Sequence, residues 1–132
     1  MRSFAIVFAV FLAAAGPVDA QDADRGQDLF LDHCATCHGL TGLGDGPMSM
    51  LLSVPPPNLA VLASKNGGQF PAEMVVRRID GETEVLAHGG PMPLFGLVLQ
   101  GPSGIVVAKD GSEIVTSEAI VDIAAWLEEI QQ

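Results

Sequence analysis

Two cysteines stand three positions apart in Cys34-Ala35-Thr36-Cys37, with His38 directly behind them, and the chain has no others. A disulfide across so short a span would staple almost nothing, because the stabilisation grows with the length of chain enclosed. A thioredoxin-like redox pair needs a strand ahead of it and a βαβ context, and neither is visible. A zinc site needs four ligands at regular spacing. His33, His38 and His88 are available, but the second ligand pair is missing. The remaining reading is attachment of one c-type haem, whose signature is Cys-x-x-Cys-His. Two thiols about one helical turn apart can each form a thioether with one haem vinyl group. His38 is then held over the iron face, with Nε2 as the proximal ligand.

The start of the chain agrees with that chemistry. Phe4 to Gly16 holds only apolar or small side chains and follows a lone Arg2. It is too short to span a bilayer, which takes about 20 apolar residues. It reads as a secretory signal, with Val18-Asp19-Ala20 as the small-residue exit and cleavage before Gln21. Residues 1–20 are therefore expected to be the leader and residues 21–132 one domain, which leaves no room for a two-domain enzyme. No later run is long enough for a membrane span, and no cysteine stands at the cleavage point to carry a lipid. The expected compartment is the periplasm.

Charge narrows the partners. The net charge is −10, and losing Arg2 and Asp19 with the leader leaves it unchanged. Nucleic acid and anionic lipid need clustered Lys and Arg and are unlikely partners. With no Tyr and one Trp, a large aromatic core is absent, so a bound apolar cofactor would help to fill the interior.

The surrounding residues resemble class I cytochromes c over nearly all of residues 21–132. Gly26 and Phe30 stand four apart ahead of Cys34, Cys37, His38 and Gly39, as in the family's N-terminal helix. Asp22 or Asp24 can cap that helix. Ile120, Ile123, Ala124, Leu127 and Ile130 form a 3.6-period stripe with Trp126 beside it. The resemblance implies that the first and last helices cross, with Gly26 allowing close approach and Phe30 and Trp126 as core residues. It implies a mostly α fold of about four helices around one covalently bound haem c.

Gly39 to Pro47 is rich in glycine but lacks the Lys of a P-loop and follows a helix, so phosphate binding is a weak reading. It looks like the family's tight loop below the haem. Pro57-Asn58-Leu59 matches the family's Pro-x-Leu. The resemblance gives the Pro57 carbonyl the role of accepting from Nδ1 of His38, with Pro47 as a rival position; such a bond orients the ring. Pro71 to Asp80 reads as a helix with Pro71 at its first position and Gly81 just past its end. Arg77 or Arg78 could pair with a haem propionate; the plainer reading is a solvated helix face.

The distal ligand implied by the resemblance is Met92, as Met92-Pro93 in a loop rich in Gly and Pro before the last helix. Flanking prolines stiffen such a loop. His88 is the runner-up, His33 is too close to the attachment site to reach the opposite face, and Met48, Met50 and Met74 read as packing. Ile105 to Val115 departs from the smallest family members. It reads as a β-hairpin around Asp110-Gly111, an excursion over one side of the haem pocket.

A His/Met haem has no open position, and nothing else in the chain looks catalytic. The expected function is that of a periplasmic one-electron carrier, not an enzyme, meeting redox proteins through small, transient contacts. Lys65 and Lys109 are the only lysines, so a lysine ring cannot dock it. The partner is expected to offer a basic patch or an apolar contact at the haem edge. The alternative is the haem c subunit of a larger periplasmic complex, such as a dehydrogenase or a sulfur-oxidising enzyme.

Overall fold

The Asp22 carboxylate accepts a hydrogen bond from the Arg25 amide at 3.0 Å and so starts the first helix, α1, Ala23–His33. Of the two candidate caps, Asp22 fills the position and Asp24 lies in the first turn, where negative charge favours the helix dipole. A computed structural model describes residues 21–82 and 92–132. The expected leader and His88 lie outside the described residues.

After α1 the chain makes one more helical turn, α2, Ala35–His38. A second single turn, α3, Leu62–Lys65, follows the proline-rich stretch, and α4 runs from Ala72 to Asp80. Pro71 lies one position ahead of its expected place, as the residue that caps α4. Gly81 ends α4 at φ 92°, a left-handed conformation that favours glycine. The last helix, α5, Glu118–Glu129, starts on the Ser117 hydroxyl, which accepts from the Ile120 amide at 3.3 Å. Against the expected four or so helices, the described residues hold these five α-helical segments, two of them single turns.

The predicted crossing forms between α1 and α5. A Cβ on Gly26 would lie 2.0 Å from the Asp122 carbonyl oxygen, so only a glycine lets the two backbones meet. Next to that contact the rings of Phe30 and Trp126 pack with centroids 4.5 Å apart. Phe30, Val76, Ile120 and Ile123 are the most deeply buried large side chains. Asp122 is also buried, and its carboxylate takes the Asp22 amide and the Arg25 guanidinium, each at 2.9 Å.

Strands β1, Ser103–Val107, and β2, Glu113–Ser117, pair antiparallel with Ile105 opposite Val115. The turn is closed by the Gly111 amide on the Ala108 carbonyl and by Ala108 on Ser112, with Gly111 at φ 85°. That is the three-residue hairpin loop, and glycine suits its left-handed position. Val106, Ile114 and Thr116 face inward and are buried, while Ile105, Val107 and Val115 face out and are exposed. The hairpin does not lie over the pocket as expected. Gly104, where a Cβ would come within 2.7 Å of Val121, lets β1 settle onto α5, and β2 lies against α4 and α5.

Candidate functional site

Helix α1 and the turn of α2 bring Cys34, Cys37 and His38 to the wall of one cavity. The Cys34 amide donates to the Phe30 carbonyl at 2.8 Å, and the His38 amide to the Cys34 carbonyl at 2.9 Å. The two cysteines thus sit about one helical turn apart and are not bonded to each other. Beneath them, the Gly44 amide donates to the His38 carbonyl at 2.8 Å. A Cβ on Gly44 would lie 2.4 Å from the Pro56 carbonyl oxygen, and its φ of 84° is left-handed, so the loop can close only with glycine here.

The proline stretch builds the wall next to His38. The Leu59 amide donates to the Gly42 carbonyl at 2.7 Å, and the Asn58 side chain accepts from the Ala60 amide at 2.8 Å. Gln131, just past α5, bonds the Ala63 amide and the Leu59 carbonyl, each at 2.8 Å. These bonds fix the segment that carries Pro57.

The enclosed volume is about 480 Å³, within the range of cofactor pockets. Its walls are apolar apart from the two cysteines, His33, His38 and Arg78. Met92, Pro93 and Phe95 close it from a second loop, and Val75, Ile79, Ile123 and Leu127 form its floor. Four of the residues singled out from the sequence, Cys34, Cys37, His38 and Met92, therefore share one cavity with Pro57. Met74 lines it too, half exposed, while Met48 and Met50 do not. His33 lies at the rim, edge-on to Phe95 at 6.5 Å. Arg77 turns away to pair with Glu73 at 3.1 Å and Glu82 at 3.3 Å, whereas Arg78 lines the cavity.

Electrostatics follow the burial. Burial and, secondarily, the neighbouring Cys37 push the Cys34 thiol up to about 11, so it is neutral at physiological pH. Burial lowers the His38 pKa, partly offset by the Pro57 carbonyl near the ring. The two are not hydrogen-bonded: His38 Nδ1 is buried without a partner among the described residues. A neutral imidazole, two unpaired thiols and a thioether around an apolar void suit a large flat macrocycle whose metal takes nitrogen and sulfur ligands. Among the described residues no cluster of three His, Cys, Asp or Glu is disposed to hold a bare metal ion. A larger open groove of about 1030 Å³ between β1 and the start of α4 contains no Cys or His.

Asp122 was not singled out from the sequence, and the floor residues were not read as part of the site. The stripe on α5 carried a signal for Ile123 and Leu127, but as core. Nothing marked Asp122, since a lone acidic residue in a helix reads as surface.

Neither curated proteins nor solved structures give a match to this chain. The sequence profile of the Cytochrome c family matches residues 23–131, a span that takes in every described element. With that match and a cavity of this chemistry, the chain belongs to the cytochrome c family, as a class I c-type cytochrome with covalently bound haem c and its iron as cofactor.

Proposed function

We propose that this electron carrier works in the periplasm and holds its haem through Cys34 and Cys37, with His38 and Met92 as the axial ligands. The observation that carries the reading is the meeting of these four side chains on one apolar cavity. Bound haem supplies one-electron oxidation and reduction at iron. The protein's part is to bind, orient and exclude water. Cys34 and Cys37 anchor the macrocycle by thioether bonds. Pro57 orients the His38 ring through its carbonyl once the ring settles, and Arg78 offers its guanidinium to a propionate at the rim. With His38 and Met92 both held on the iron, the bound group would have no free position for oxygen or peroxide. Export rests on the leader read at residues 1–20, with residues 21–132 as the working domain. Among the described residues no helix is long and apolar enough to cross a membrane.

Electrons would pass at the crevice rim. Met50, Leu51 and Val54 are exposed there, beside the lining residues Leu52 and Pro55, and Asp45 is the one charged residue between positions 39 and 64. This favours an apolar contact with the redox partner over a charged one. One feature favours the second reading, a haem subunit of a larger complex: the outward face of the hairpin is apolar at Ile105, Val107 and Val115. A stable assembly with a redox enzyme after purification from the native source supports it.

The decisive experiment is the visible spectrum of the oxidised protein. A long-wavelength sulfur-to-iron charge-transfer band is expected, and Met92→Ala should abolish it. A wild-type protein that lacks the band and binds carbon monoxide readily when reduced overturns the ligand set. A mature product beginning at Gln21, heavier than its polypeptide by one haem, checks the leader and the attachment together.

A further inference from the structure

We infer that the β-hairpin braces the loop carrying Met92 through a contact chain from Thr116 to Asp80 to Gly96, which makes Thr116 and Asp80 positioning residues for the distal ligand. The inference rests on the reading of Met92 as that ligand. Neither Thr116 nor Asp80 lines the cavity.

The chain of contacts begins in the hairpin register. Thr116 lies opposite Gly104, which carries no side chain, and faces inward at 8 % exposure. Its hydroxyl donates to Oδ2 of Asp80 at 2.7 Å, and that is the only hydrogen bond to this carboxylate among the described residues. Asp80 is the last residue of α4, so the bond ties β2 to the end of that helix.

The distal loop sits on the same spot. A Cβ on Gly96 would lie 2.0 Å from Oδ1 of Asp80 and 2.5 Å from its carbonyl oxygen. A Cβ on Gly81 would lie 2.6 Å from the Leu94 side chain. The turn Phe95–Leu97 therefore lies flush on Asp80 and Gly81, with one carboxylate between hairpin and loop. Met92 and Phe95 of this loop also pack against the core. The loop's own backbone bonds are Val98 to Phe95 at 2.9 Å and Leu99 to Phe95 at 2.8 Å, with Leu99 buried as an anchor. Phe95 and Pro93 reach the cavity beside Met92.

A thioether is a weak donor, so its hold on iron depends on how tightly the loop keeps sulfur in place. Removing the Thr116 hydroxyl leaves a half-buried carboxylate without its donor, and Asp80 is then free to turn toward water and release Gly96.

The test uses haem-loaded, oxidised protein with imidazole as the competing ligand. Thr116→Val should raise imidazole affinity about tenfold, the effect of one hydrogen bond to a charged group. Amide exchange over residues 94–99 should quicken by a similar factor, and Thr116→Ser should restore both. Val115→Thr, on the exposed side of the same strand, should move neither. Should Thr116→Val fail to take up haem, Asp80→Asn keeps the volume and weakens the same bond. Unchanged exchange over 94–99 overturns the brace whether or not Met92 binds iron. Faster exchange with unchanged imidazole affinity overturns its bearing on the ligand. A wild-type spectrum without the sulfur-to-iron band overturns the Met92 reading itself, and the exchange rates still decide the brace.

Discussion

Gly26 of α1 rests against the carbonyl of Asp122 in α5, with space for a hydrogen but not for a methyl group. Gly26→Ala would gain about 1 kcal/mol of helix propensity. It would also push two backbones apart, and overpacking costs about 1–3 kcal/mol or more where the neighbour cannot yield. The atom met is backbone, so a net loss of stability is expected. A lower thermal midpoint of the haem protein checks it; a higher one would refute the close crossing.

Trp126 packs on Phe30 but does not line the cavity. Trp126→Ala should lower stability by about 3–5 kcal/mol while leaving the visible spectrum of the folded protein as it was. Guanidinium unfolding and absorption on one sample separate the two effects.

Arg25 gives the Asp122 carboxylate one of its two hydrogen bonds among the described residues. The guanidinium is about half exposed, so solvent screens the pair. Arg25→Ala should cost about 1 kcal/mol, and Asp122→Ala more, because it also strands the Asp22 amide. Denaturant midpoints should rank the variants in that order.

Asp110 shapes the hairpin turn. The Ser112 hydroxyl at 2.6 Å and amide at 2.9 Å hold its carboxyl below the ordinary value of 3.8. The bonds favour the charged form, so their support for the turn is full above the ordinary value and fades as pH falls through the lower folded one. An NMR titration should find the Ser112 amide shifting below pH 3.8, and Ser112→Ala should move the midpoint up.

If the partner meets the rim through Met50 and Leu51, the bimolecular transfer rate should change little with salt. A steep fall would point to opposite charges instead. Met50→Ser, at a side chain 94 % exposed, should slow transfer about threefold by removing apolar contact, with the reduction potential unchanged.

Much of this was legible in the residues themselves. Chemistry that is local in sequence reads well: Cys34 to His38, the Asp22 cap, the Gly26–Phe30 spacing and the stripe on α5 each fall within a few turns. Met92 and Pro57 took a family resemblance, because their place depends on chain that returns from far away. The hairpin shows the limit. Its strands and its glycine were evident from Ile105 to Val115, but its seat on α4 and α5 was not. That seat depends on the missing side chain of Gly104 and on the bond from Thr116 to Asp80, partners 36 positions apart. Arg77 and Arg78 make the same point, since adjacent helical residues face different ways and only packing decides which one meets the cavity.

The two glutamines that follow α5 look like a frayed tail. Yet Gln131 bonds Ala63 and Leu59, and the Gln132 amide donates to Ala60 at 2.9 Å. They act as a stitch, lacing the far end of the domain to the strip behind Pro57. Of the residues so laced, Leu59 lines the cavity with His38, so the pocket wall is held in part from the last two positions of the sequence.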